Sequence, residues 1–144
     1  MNEKSGTGTG QLILRLAIGV IFLTHGLPKL LGGVGATGEF FAQIGIPLAG
    51  LAAWLVTLLE TFGGALLITG TLVTPIAALL SIHMLLGILL VHLSNGWYVL
   101  GPGQGGAEFN VLLIAGLISL MVTGKGSPAL ELPTSRDEAP VHAP

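Results

Sequence analysis

Apolar positions along the chain fall into four long blocks separated by short breaks rich in glycine, proline and threonine. The first runs from Gln11 to about Leu27 and gives way at Gly26, Pro28 and the glycines at 32, 33 and 35. The second spans Leu48 to about Ile68 and ends in the turn Thr69-Gly70-Thr71. A third extends from about Leu72 to His92, with Pro75 in its first turn, where a missing N–H costs no helical bond. The fourth starts near Glu108 and stops at Thr123, before Gly124 and Gly126. Each block is close to the ~20 residues that a helix needs to cross a bilayer core. The pattern therefore predicts an all-α integral membrane protein, a bundle of four transmembrane helices.

The connecting segments add detail. Phe40, Phe41 and Ile44 lie at helical spacing in Thr37 to Ile44, which suits a short interfacial helix before the Gly45-Ile46-Pro47 break. Residues 1–10 are polar and rich in glycine and threonine, so they read as a flexible N-terminal tail. Residues 127–144, with four prolines and mixed charges, read as a flexible C-terminal tail. The first apolar block is longer than a signal-peptide core and lacks a convincing small-residue cleavage site, so it is expected to be retained. Lys4, Arg15, Lys125 and Arg136 fall on the side that would hold both termini, against Lys29 alone on the other. By the positive-inside rule both termini are expected on the cytoplasmic side. Trp97 and Tyr98 would then anchor the outer interface.

Composition agrees with the pattern and removes several kinds of chemistry. Hydrophobic residues make up 51% of the 144 and charged residues 8%, well below the quarter carried by soluble domains. Mean hydropathy is +0.87. With no cysteine, the chain offers no disulfide, thiolate nucleophile or cysteine-ligated iron–sulfur centre, so redox chemistry would need a bound cofactor or a partner protein. A net charge of −2 without any basic run gives no nucleic-acid footprint. The glycine-rich loop 101–106 follows no strand and carries no Lys-Ser or Lys-Thr, so it is a loop rather than a phosphate-binding turn.

Against this background the polar residues inside the blocks stand out. Glu60 lies near the middle of the second span, and an ionisable group at that depth is a functional-site hypothesis by default. His83, on the third span, lies at almost the same depth. Ala49, Ala53, Val56, Glu60 and Gly64 form one small-residue stripe, and Gly87 follows His83 by one turn, so the two helices could approach and let Glu60 and His83 meet. Arg15, Gly19, Phe22 and Gly26 line one side of the first span and make Arg15 another candidate partner for Glu60. Glu60, His83 and Arg15 are thus the catalytic candidates. The bland alternatives are interhelical packing for Glu60 and His83, and snorkelling to the headgroups for Arg15.

A second cluster is expected near the outer surface: His25, Lys29, His92, Asn95, Gln104 and Glu108. Of these, His25, Lys29, His92 and Glu108 are the cofactor-binding candidates, although Glu108 could simply favour a helix start. Nine residues between His83 and His92 rotate them about 180° apart on an ideal helix, which separates a midplane pair from an outer cluster. His25 and His92 could also serve as axial ligands to a haem b. No metal site is expected, since there is no cysteine and no close HxxxH spacing.

The first span and its exit, RLAIGVIFLTHGLPKLLGG, resemble the opening of the DoxX family of small four-helix membrane proteins. The likeness continues through LLETFGGALLITGTLVTPIAAL to the Glu-initiated fourth helix and GKGSPALE, covering about residues 11 to 131. Arg15, Gly19, His25, Gly26, Lys29, Glu60, Gly64 and Gly70 occur in the family's order, whereas Gly124-Lys125-Gly126-Ser127-Pro128 departs from its usual tail. The resemblance makes residues 11–126 a DoxX-like domain. It implies a bacterial or archaeal cytoplasmic (inner) membrane protein related to the membrane subunit of thiosulfate:quinone oxidoreductase, acting on quinone with a partner protein.

Two main readings follow. In the first, quinone docks among the helices and exchanges protons with Glu60 and His83, or with His25 and Glu108, as electrons arrive from a partner. In the second, Arg15, Glu60 and His83 hold together a non-catalytic scaffold or assembly factor. A small-solute transporter is a third reading, less natural for four helices without a visible repeat unless the protein forms a homo-oligomer.

Overall fold

The computed structural model describes residues 3–100 and 105–129 and is helical, with no strand among the described residues. Helix α1 covers Glu3–Gly32, α2 Gly35–Gln43, α3 Ala49–Thr69, α4 Val73–Gly87 and α5 Glu108–Thr123. Between α4 and α5 the chain passes through a π-helical turn, Ile88–His92, and a 3₁₀ turn, Leu93–Asn95. Among the described residues, three stretches are long and apolar enough to cross a membrane: Gly8–Gly32, Ala49–Thr69 and Val73–Asn95. Helix α5 has 16 residues, about 24 Å at 1.5 Å per residue, and is therefore shorter than a full crossing.

Two expectations about α1 are corrected. The helix starts at Glu3 rather than after a flexible tail, and it continues through Pro28 instead of breaking near Leu27. The early turns of α1 are held by the segment that follows α5: the Gln11 side-chain amide donates to the Thr123 carbonyl at 2.6 Å, and the Ser127 N–H to the Gly8 carbonyl at 3.4 Å. At the other end, Pro28 removes one helical N–H, which transmembrane helices tolerate when neighbouring groups compensate. The start of the expected C-terminal tail, through Ala129, is packed along α1; Gln104, Arg136 and the rest of that tail lie outside the described residues.

Helices α1 and α3 run antiparallel and meet through glycines. A Cβ on Gly26 would lie 2.4 Å from the Thr61 amide nitrogen, and one on Gly64 would lie 2.7 Å from the Gly19 carbonyl. Such close approach is the usual route to helix association where no hydrophobic driving force acts between helices. The expected contact face of α1 is confirmed, with Arg15, Ile18, Phe22 and Gly26 all buried. The remaining core joins Leu67 of α3 to Ala77 and Leu80 of α4 and to Leu113, Leu117 and Leu120 of α5. Large apolar side chains elsewhere, among them Leu55, Phe62, Ile82, Leu89 and Val122, point outward, as a lipid-facing surface requires.

Candidate functional site

The antiparallel register decides which charges meet. Because Gly26 sits against Thr61, the next turn of α1 brings Lys29 level with Glu60, and the Lys29 Nζ donates to Glu60 Oε2 at 2.5 Å. From across α4, the His83 Nε2 reaches Glu60 Oε1 at 3.1 Å. Glu60 is buried, so both carboxylate oxygens are engaged and three helices are joined at one point. The Glu60–His83 pair is the one the sequence suggested. Lys29, assigned from sequence to a separate outer cluster, is its third member.

Arg15 does not reach Glu60. It precedes Gly26 by eleven residues, about 16 Å along the helix, and packs against Gly70 at the far end of α3. There its guanidinium donates to the Lys125 carbonyl and, at 2.6 Å, to the Pro128 carbonyl, while its Nε has no hydrogen-bond partner among the described residues. Nor does Arg15 snorkel, since it is 1% exposed. It fastens the segment after α5 to the end of α1 and α3.

A cavity of about 720 Å³ opens beside the Lys29–Glu60–His83 group. Its walls come from α1, α2, α3, α4 with the π turn, α5 and the loop before α5. Phe40, Phe41, Val56, Leu90 and Leu113 give it an apolar lining, and Lys29, Glu60, His83, His25, His92 and Asn110 add polar groups. This volume and mixture suit a small amphipathic molecule. The expected separation between a midplane pair and an outer cluster is therefore overturned. The π turn supplies the reason: one residue inserted into the helical ladder takes back about 100° of rotation, leaving His83 and His92 about 80° apart rather than about 180°.

The other candidates divide. His25 lines the cavity, with Nδ1–H donating to the Ile21 carbonyl at 2.8 Å, and His92 donates from Nδ1 to the Gly105 carbonyl at 2.5 Å. Glu108 lies outside this cavity. It opens α5, and its Oε1 accepts the Val99 N–H at 2.9 Å while its own N–H donates to the Trp97 carbonyl at 3.0 Å, clasping the loop to the helix. Asn95 is exposed and does not line the cavity. Asn110, which the sequence reading passed over, is 8% exposed and lines the cavity wall. Its signal was present as a lone amide two residues into an apolar helix, but Glu108 drew attention as the nearby charge.

Comparison with known proteins supplies the context for this arrangement. The family model "DoxX" matches residues 10–93. The chain is 34% identical over 131 residues to the Bacillus subtilis protein named "Putative oxidoreductase CatD", covering 91% of this chain and 90% of that protein. Two Escherichia coli proteins, "Inner membrane protein YphA" and "Inner membrane protein YqjF", are 29% and 30% identical, covering 83% and 85% of this chain and 86% and 89% of theirs. No solved structure matches the chain. Apolar helices of crossing length and these relatives place the molecule in the cytoplasmic membrane as a multi-pass protein in contact with the lipid bilayer. With the family model matching more than half of its length and such relatives matching nearly all of it, the chain belongs to the DoxX family.

Proposed function

We propose that this DoxX-family chain is a membrane subunit of a quinone-linked oxidoreductase system, and that its cavity receives the quinone ring. The observation that carries this reading is the apolar cavity of about 720 Å³ with Lys29, Glu60 and His83 grouped on its wall. The name of the Bacillus subtilis relative supports the same chemical class. A flat ring with oxygen substituents needs apolar walls and a few directed donors, and the chain provides both. When bound, a quinone would supply a two-electron, two-proton acceptor, with electrons delivered by a partner protein because the chain contains no cysteine-based redox group. Lys29, which has N–H groups beyond the one given to Glu60, would donate a hydrogen bond towards a ring oxygen, and Glu60, held between Lys29 and His83, offers a proton-accepting carboxylate beside it.

The proposed topology has four crossings, α5 being the shortest, with both termini on the cytoplasmic side. Because the native chain has no cysteine, single cysteines placed near residue 4 and in the loop after Asn95 would report opposite accessibility to an impermeant thiol reagent in intact cells. The functional reading is tested by extracting quinone from the purified protein and by titrating a short-chain quinone into quinone-depleted protein. Near-stoichiometric quinone, lost in Glu60→Gln and retained in a lipid-facing control such as Leu55→Ala, is expected. Absence of both extractable quinone and saturable binding would refute it.

A second reading has its own observation. Lys29, Glu60 and His83 bind α1, α3 and α4 together, as a scaffold or assembly factor would need. That role predicts a lowered unfolding temperature in Glu60→Gln and no ligand in either protein.

A further inference from the structure

Asn110 is nine-tenths buried, lines the cavity and has no hydrogen-bond partner among the described residues. Its amide is therefore free to bond a molecule that enters the cavity. At Gly87 the absent side chain leaves a space: a Cβ there would lie 3.7 Å from Asn110 Nδ2 and 3.9 Å from His92 Cδ2. Asn110 from α5 and His92 from the π turn therefore flank one notch, floored by Gly87. The His92 Nδ1–H donates to the Gly105 carbonyl, so in the neutral ring Nε2 is an acceptor, and it too is unpartnered among the described residues. The notch thus presents the Asn110 amide donor and, in the neutral ring, the His92 acceptor, both next to Gly87.

We infer that Asn110 and His92 form a second polar contact point in the cavity, one that recognises a ring hydroxyl by giving it one hydrogen bond and taking another. This deepens the quinone reading and rests on it: a hydroxyl is what the reduced ring carries, and a carbonyl oxygen, having no proton to give, satisfies only Asn110. The Lys29–Glu60–His83 group differs in kind, because it is built around a carboxylate and an ammonium group. Asn110 and His92 therefore discriminate between ring oxidation states, and the charged group positions the ring. No bond is made or broken at the notch.

The test uses the purified full-length protein and two probes, a short-chain benzoquinol kept reduced under anaerobic conditions and its dimethyl ether, which lacks the hydroxyl protons. Wild type should bind the quinol more tightly than the ether. His92→Phe, which removes the acceptor, should weaken quinol binding about tenfold, the value of roughly one hydrogen bond, and leave ether binding within about twofold, whereas Asn110→Leu, which removes the donor that either oxygen can accept, should weaken both by a similar factor. Gly87→Ala fills the notch without a backbone clash and should reproduce the quinol effect. Equal losses for quinol and ether in His92→Phe, or unchanged quinol binding in Asn110→Leu, would overturn the hydroxyl-recognition role while leaving the quinone reading intact. If wild type binds neither the quinols nor any quinone, both readings fall together.

Discussion

Glu60 and Thr61 are neighbours on α3, about 100° apart around the helix, and they face opposite sides of the molecule's organisation. Thr61 looks into the seam with α1, where Gly26 comes so close that no side chain fits between. Its hydroxyl donates to the Thr57 carbonyl of its own helix at 2.8 Å, while the fully buried Thr57 hydroxyl one turn away has no partner among the described residues. Glu60 looks into the cavity and is held by side chains from two other helices, while Asn110 across the space has no partner among the described residues. Backbone proximity makes the seam rigid. The cavity instead has polar side chains facing open space, and that difference separates the close-packed part of the fold from the part with room for a ligand.

The hardest way to break this contrast is to put atoms into the seam. Gly26→Leu would force its Cβ to within 2.4 Å of the Thr61 amide nitrogen, separating α1 from α3 and removing Lys29 from Glu60 at the same time. A loss of about 3 kcal/mol is expected from overpacking of this kind, read as a large fall in unfolding temperature and in yield of monodisperse protein. A near-wild-type unfolding temperature would show that the seam is not rigid. At the end of the seam, Arg15→Met deletes two charge-assisted hydrogen bonds to the carbonyls of Lys125 and Pro128 and should cost about 2 kcal/mol. Hydrogen exchange should accelerate after Thr123, while short-chain quinone affinity stays unchanged. A drop in affinity would mean that the two regions are coupled.

The smallest expected effect is the most diagnostic. Glu60→Gln and Lys29→Met should each destabilise the fold, and the double variant should recover part of the loss, giving a coupling of about 1–2 kcal/mol in a double-mutant cycle. The value stays modest because the Lys29 side chain is 30% exposed. Ligand affinity should not recover with stability in the double variant. If it does, the ion pair serves cohesion alone.

The helical blocks were legible because lipid imposes a length and an apolar composition on whatever crosses it, and the pairing of Glu60 with His83 was legible because depth can be counted along a helix. What sequence did not reveal was relative position between helices. Arg15 looked like a partner for Glu60 only while the register of α1 on α3 was unknown; the contact of Gly26 with Thr61 shifts α1 so that Lys29 arrives instead. Glu108 was misread for a different reason, since a carboxylate at a helix start looks the same whether it faces a ligand or the preceding loop.

The π turn at Ile88–His92 makes the cavity depend on chain length as well as on chemistry. A side chain's direction on a helix is a phase, and the extra residue here acts as a phase shifter between the half of the helix bearing His83 and the stretch bearing His92. Deleting Leu89 would leave every cavity-lining side chain present and His83 in place, yet turn His92 away from the wall it shares with Asn110. The membership of the site is thus written partly as a count of residues.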